Sequence, residues 1–150
     1  MYISTSSVFL IILITGLFCS CIKHKPTDPL TFSGKTIIVG SGGGFAGIEQ
    51  EYRLLNNGQL YYRSSIRDSF KLVEAKSKGK ARKWAVRFDS LQLEKVAFNE
   101  PGNIYKFVGY KTDSVENRIV WSNVNSVPNS AIPDFYKNFL AYWGNKKKQD

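Results

Sequence analysis

The strongest constraint on the fold is a hairpin signal in the first half of the chain. Two runs rich in aliphatic and aromatic residues, Ile48–Leu55 and 59–65, are separated by an Asn-Asn-Gly sequence at 56–58. Asn and Gly both tolerate the positive φ angles that tight hairpin turns require. A β-branched run at 35–39 precedes them and is typical of a strand. We therefore expect an antiparallel sheet.

Apolar periodicity predicts two helices. Bulky apolar residues recur at the 3.6-residue helical period in 80–95 and again in 131–143. Alternating or β-branched runs predict further strands at 104–112 and 118–124. The segment 69–75 is either another strand or the start of the first helix.

This order of elements predicts an α+β fold, in which a mostly antiparallel sheet of about five strands carries two helices packed on one face. A length of 150 residues allows one compact domain. A hydrophobic content of 43% is sufficient for its core. We assign this single domain to residues 33–145 and interpret 146–150 as a basic tail.

The N-terminus carries an apolar segment that is too short to span a membrane. Residues 8–18 are uninterrupted apolar or small residues, and a helix of that length extends about 16 Å. The hydrocarbon core of a bilayer is about 30 Å thick, so the run is typical of the central region of a signal peptide. It ends in the sequence Phe18-Cys19-Ser20-Cys21.

This leader resembles a bacterial lipoprotein signal peptide, in which a small residue precedes the cysteine that receives the lipid. The resemblance implies that residues 1–20 are removed and that Cys21 is acylated, with 21–32 as a lipidated N-terminus and tether. The domain would then be held on a lipid bilayer in the bacterial cell envelope, outside the cytoplasm. The alternative is an uncut signal anchor at 2–22, for which Lys23 and Lys25 favour a cytoplasmic C-terminal side.

Five glycines lie within residues 40–47, directly after the first predicted strand. The spacing Gly42-x-Gly44-x-x-Gly47 matches a dinucleotide-binding fingerprint. A hairpin turn follows within ten residues, however, and leaves no room for the crossover helix that such a site needs. We therefore predict no nucleotide and no other cofactor, and the plain interpretation of the segment is a flexible glycine-rich bend.

The sequence Gly-Gly-Phe-Ala-Gly at 43–47 resembles the opening signature of the emfourin family, small bacterial inhibitors of thermolysin-type metalloproteases. The resemblance implies a protein-binding module that inhibits such a metalloprotease, with Phe45 filling an apolar pocket of the partner. The partner-binding residues would be Gly42, Gly43, Gly44, Phe45, Ala46 and Gly47. The alternative is a structural or membrane-surface lipoprotein without a dedicated ligand. A protruding Phe45 favours the inhibitor, and a buried Phe45 favours the alternative.

A basic stretch at 76–87 has no acidic residue between Glu74 and Asp89. Such stretches bind phosphates, either of nucleic acid or of lipid headgroups. An exported protein meets lipid rather than nucleic acid, so we predict no nucleic-acid partner and expect either a solvated helix face or a membrane-facing patch.

The composition argues against catalysis. His24 is the only histidine and the chain has two cysteines, which excludes a site built from several Cys and His ligands. A serine or cysteine nucleophile would also need a histidine inside the domain. Glu49 and Glu51 share one face of a strand, as a glycosidase pair would, but we expect that face to be solvent-exposed. We predict that the protein is not an enzyme.

Overall fold

The computed structural model describes residues 25–75 and 78–144. The predicted leader, the predicted lipidation residue Cys21 and the basic tail at 146–150 lie outside the described residues.

Within these residues the chain forms seven strands and two helices. The strands are β1 (Thr36–Gly43), β2 (Ile48–Leu55), β3 (Leu60–Arg63), β4 (Lys71–Glu74), β5 (Asn99–Glu100), β6 (Ile104–Lys111) and β7 (Glu116–Trp121). The helices are α1 (Lys78–Asp89) and α2 (Ala131–Trp143), and short 3-10 turns lie at Leu93–Lys95 and Val124–Ser126.

One sheet contains all seven strands in the order β4-β3-β2-β1-β6-β7-β5. Neighbouring strands are antiparallel except β5 and β7, which run parallel. The α+β class and the two helices are therefore confirmed. The sheet is mixed and larger than the predicted five or so strands. β5 has two residues and is too short to show an alternating pattern.

The local predictions near the hairpin and the helices are largely confirmed. Gly58 has a φ angle of 97°, and the Leu55 N–H donates to the Gln59 carbonyl oxygen at 2.9 Å across the β2–β3 turn. Helix α1 ends at Asp89, before the predicted end at 95. Gln92 adopts a left-handed φ of 50°, which a continuing helix does not allow.

The hydrophobic core lies between the helices and one face of the sheet. Side chains alternate along a strand. Ile37 and Val39 of β1 therefore pack in the core with the helices, whereas Ile38 and Gly40 point away. The helices contribute these buried residues to the core: Ala81, Trp84 and Phe88 from α1, and Ile132, Phe135, Phe139 and Trp143 from α2. We call the opposite side of the sheet the second face.

Residues 25–30 lie against the second face and are called the strap. The buried Gln59 side chain binds its first residues: it donates to the Lys25 carbonyl oxygen and accepts from the Thr27 N–H, both at 3.2 Å. Arg53 donates to the carbonyl oxygen of Pro29 at 3.3 Å, and Pro29 is buried. The described part of the predicted tether, from Lys25 onward, therefore makes hydrogen bonds to the domain.

Candidate partner-binding site

Residues 44–47 connect β1 to β2 and form the hairpin tip. The Gly44 N–H donates to the Asn103 carbonyl oxygen at 2.6 Å, and the Gly47 N–H donates to the Gly44 carbonyl oxygen at 3.0 Å. Gly44 and Gly47 have φ angles of 75° and 58°, which glycine adopts without steric cost. The tip is therefore a closed turn with a defined backbone path.

Phe45 stands at the summit of this turn and is fully exposed. Its neighbour Ala46 is also exposed. The domain leaves the apolar surface of this phenyl ring in water. Burial in a partner would remove that surface from water, which is favourable. Phe45 is thus available as an anchor for a binding partner.

Two isoleucines extend the apolar surface at the base of the tip. Gly43 pairs with Ile48 on β2 and with Ile104 on β6, so the two side chains flank it on the same side of the sheet. Ile48 is 47% exposed and Ile104 is 66% exposed. Sequence reasoning missed this patch because its members come from distant parts of the chain. Phe45, Ile48 and Ile104 together form what we call the tip patch.

The prediction of a glycine-rich loop at 40–47 is wrong for residues 40–43. Strand β1 continues through Gly43 and is paired on both sides along its length, with β2 and with β6. On the second face, a Cβ atom at Gly42 would lie 2.6 Å from the Tyr105 hydroxyl oxygen. Glycine inside a strand often marks such a close approach. Gly42 is therefore explained by its aromatic neighbour rather than by a turn.

Of the six predicted partner-binding residues, four lie at the hairpin tip: Gly44, Phe45, Ala46 and Gly47. Gly42 is buried within the sheet. Gly43 packs so tightly that an added Cβ atom would lie 2.1 Å from the Asn103 carbonyl oxygen. A partner could therefore reach fewer of these six residues than the sequence predicts.

The second face carries an ionic network centred on Glu51, whose side chain is completely buried. Its carboxylate accepts hydrogen bonds from Arg53 Nε and Arg63 Nη2, each at 2.5 Å, and from Arg118 Nη2 at 3.2 Å. Three guanidinium groups thus satisfy one buried carboxylate, which would otherwise be costly to remove from water. The network links β2, β3 and β7 across the sheet.

Glu49 extends this network toward the hairpin tip. It accepts hydrogen bonds from Arg118 Nη1 at 3.0 Å and from the Tyr105 hydroxyl at 2.9 Å. Partial burial, reinforced by the hydrogen bond to Glu49, raises the pKa of Tyr105. Burial disfavours the charged form of Arg118, but Glu51 and the other nearby carboxylates outweigh that effect and raise its pKa. Strand β2 is therefore tied to β6 and β7 by side-chain hydrogen bonds just below the tip.

The expected solvent-facing position of Glu49 and Glu51 is wrong. Both lie on one face, as predicted, but their carboxylates are bound by arginine side chains, with Glu49 only 12% exposed. A glycosidase acid needs a proton and access to substrate. Both carboxylates are instead held by guanidinium groups and lie largely out of solvent.

The strap and the loop before β4 lie over the Arg53 and Arg63 side of the network. The Phe70 ring stacks on the guanidinium groups of Arg63 and Arg53, with centroid distances of 4.7 and 5.2 Å. An open groove of about 560 Å³ lies between this loop and the strap. Its polar lining includes Asp28 and Asp68 as well as Arg63, so it presents no consistent charge to a ligand.

Helix α1 presents a basic surface on the other side of the molecule. Its exposed residues include Lys80, Arg82, Lys83 and Arg87, and it has no acidic residue before Asp89. The buried Trp84 belongs to the core, with the Arg87 guanidinium 5.1 Å from its ring centroid. Trp84 is therefore not available to stack on a nucleic-acid base.

Comparisons with known proteins give no family assignment. No protein-family model matches the chain, and a search of the curated proteins finds no match. Across residues 25–75 and 78–144, no helix is both long and apolar enough to cross a bilayer. In the same residues, no group of three His, Cys, Asp or Glu side chains is arranged to hold a metal ion.

Proposed function

We propose that this protein is a lipid-anchored, non-enzymatic binding module of the bacterial cell envelope, which captures a protein partner through its hairpin tip. The observation that carries the proposal is the full exposure of Phe45 on a turn fixed by two backbone hydrogen bonds. A rigid aromatic side chain loses little conformational entropy on binding and is a common energetic centre of protein interfaces.

The partner we propose is a metalloprotease of the thermolysin type, which the protein would inhibit. The sequence at 43–47 supports this through its resemblance to the emfourin signature. The geometry refines the mode of contact: β1 is paired on both sides, so its main chain has no edge to offer a protease cleft. Phe45 would enter an apolar specificity pocket, while Ile48 and Ile104 would rest on the rim.

A titration of a thermolysin-type protease with the chain from residue 22 onward tests this proposal. Wild-type protein should inhibit, and Phe45→Ala should weaken inhibition by about 2 kcal/mol, or roughly thirtyfold. Val86→Ala removes a side chain that is 64% exposed on α1 and serves as the matched control. Rapid cleavage of the wild-type chain without inhibition would argue against a protease inhibitor.

The membrane anchor we propose is a lipid attached to Cys21 after removal of residues 1–20. Two or three acyl chains hold a domain firmly on a bilayer, because each buried CH₂ group contributes about 0.8 kcal/mol. Mass spectrometry of protein extracted from membranes should find an acylated Cys21 at the N-terminus. The Cys21→Ala variant should carry no acyl group, whereas the Cys19→Ala variant should still be acylated. An intact, unmodified Met1 in the wild-type protein would contradict the anchor.

The second candidate function is a membrane-surface lipoprotein without a dedicated protein ligand. The basic surface of α1 favours it, since each basic residue near anionic headgroups contributes about 1 kcal/mol. Binding of the soluble domain to vesicles containing phosphatidylglycerol should then weaken as salt is raised. Replacing Arg82 and Lys83 by Gln should abolish that binding, whereas it should leave protease inhibition unchanged.

A further inference from the structure

The strap and the hairpin tip lie at opposite ends of the sheet. At one end of β1, Thr36 pairs with Leu55, directly before the turn at 56–58. At the other end, Gly43 pairs with Ile48, directly after the hairpin tip. The strap begins at the first of these ends, where the Gln59 side chain binds the Lys25 carbonyl oxygen.

The length of β1 sets the separation between these two ends. The strand has 8 residues, which at about 3.3 Å per residue span roughly 25 Å. The predicted lipidation site is four residues before Lys25, and four extended residues reach at most about 14 Å. The short connection leaves the anchored end of the sheet close to the membrane surface.

We propose that the domain stands end-on on the bilayer, with Phe45 at its membrane-distal end. This inference rests on the proposed lipid anchor at Cys21. The tip patch then meets a protein whose apolar pocket lies about 25 Å or more above the lipid headgroups. An exposed aromatic on a loop could also insert into a bilayer, but in this arrangement Phe45 points away from it.

The turn at 56–58 and the hairpin tip differ in polarity in the sense that this orientation requires. The turn nearest the anchor has the sequence Asn-Asn-Gly, and Asn56 is exposed there. The distal end carries the apolar side chains of the tip patch. A polar turn is suited to the headgroup region, whereas the tip patch is suited to an apolar pocket of a protein.

Gln59 is the residue that keeps the connection short. Its amide oxygen also accepts from Asn57 Nδ2 at 3.1 Å and from the Tyr61 hydroxyl at 3.2 Å, so the side chain is fixed where it holds the strap. Loss of the Gln59 contacts would leave Arg53 holding Pro29, and would lengthen the tether from four to about eight residues, or to about 29 Å when extended. The domain would then lose its fixed orientation.

Energy transfer on vesicles measures the orientation directly. The full lipidated protein is reconstituted in phosphatidylethanolamine and phosphatidylglycerol vesicles that carry a headgroup acceptor dye. Donor dyes are attached, one at a time, through Asn56→Cys, Arg82→Cys and Ala46→Cys. The donor at 56 should lie nearest the headgroups, and the donor at 46 should lie about 25 Å higher.

Other distance patterns overturn the proposal. Equal heights at 46 and 56 would mean that the domain lies flat, and a donor at 46 closest to the headgroups would mean that the tip inserts. A donor at 82 nearest the headgroups would mean that α1 contacts lipid instead. If the protein fails to float with the vesicles, the proposed lipid anchor is contradicted as well. Failure of the anchor is thus distinguishable from failure of the orientation.

A Gln59→Ala variant tests the role of the strap. In folded Gln59→Ala protein, the donor at 56 should move away from the headgroups and the height difference between 46 and 56 should shrink. Gln50→Ala, which removes an exposed glutamine from β2, should leave both heights unchanged. An unchanged height difference in folded Gln59→Ala protein would show that the strap does not set the orientation.

Discussion

The ring of Phe107 lies against Gly40 on the neighbouring strand, so closely that a Cβ atom at Gly40 would come within 2.3 Å of the Phe107 Cζ atom. The guanidinium group of Arg118 stacks on the same ring, 4.6 Å from its centroid. Glycine at this position thus makes room for an aromatic side chain that in turn supports the ionic network. This layer lies three residues before the end of β1, just below the hairpin tip.

The first prediction concerns this close contact. Gly40→Ala should lower the free energy of unfolding by about 3 kcal/mol, because Phe107 and a backbone carbonyl on β2 must move. Gly79→Ala is the control: it lies in α1 with no atom near the added Cβ, so stability should stay the same or rise slightly. Urea unfolding measures both, and equal stabilities for the two variants would refute the close packing at Gly40.

The second prediction concerns the buried carboxylate of the network. Glu51→Gln should destabilise the protein by about 3–5 kcal/mol, because three arginine side chains would lose their shared negative charge in a buried site. Glu94→Gln, at an exposed position, should change stability by less than about 0.5 kcal/mol. A Glu51→Gln protein as stable as Glu94→Gln would show that the network contributes little to the fold.

The third prediction concerns alkaline pH. Burial, with smaller contributions from Tyr62 and Tyr136, raises the pKa of Tyr52 from 10.0 to about 12. The folded state therefore retains the Tyr52 proton at a pH where the unfolded state has lost it. This stabilisation is complete below pH 10 and is lost as the pH rises toward 12.

Urea unfolding between pH 8 and pH 12 checks this. Tyr52→Phe should reduce the alkaline loss of stability, since Phe has no proton to release. The quantity compared is the slope of the free energy of unfolding against pH. A constant difference in stability between the two proteins at neutral pH does not affect this slope. Identical slopes for wild type and Tyr52→Phe would contradict the assignment.

Local sequence signals explain which parts of the fold could be predicted. The β2–β3 hairpin has its signal within a few residues, in the Asn-Gly turn that ends at Gly58. Helix α2 has a complete apolar stripe, from Ile132 through Phe139 to Trp143, which fixes both its type and its buried side. The sequence does not decide whether Phe45 is exposed, because its exposure depends on what surrounds the tip in space.

Long-range contacts explain what the sequence could not provide. The local sequence predicts a loop at Gly40 and Gly42, because their partners Phe107 and Tyr105 are more than sixty residues away in the chain. The ionic network was missed for the same reason: Glu51 and Arg118 meet only once β1 and β6 lie between their strands. Glycine and charge patterns are ambiguous until the sheet order is known.

The fourth prediction tests the central claim, that Phe45 occupies an apolar pocket in the cleft of a metalloprotease. The measurement is a competition between this protein and a small fluorescent ligand that fills the active-site cleft of a thermolysin-type protease. Wild-type protein and Val86→Ala should displace the ligand, and Phe45→Ala should need a roughly thirtyfold higher concentration to do so. Simultaneous binding of protein and ligand, or equal displacement by wild type and Phe45→Ala, would contradict the account.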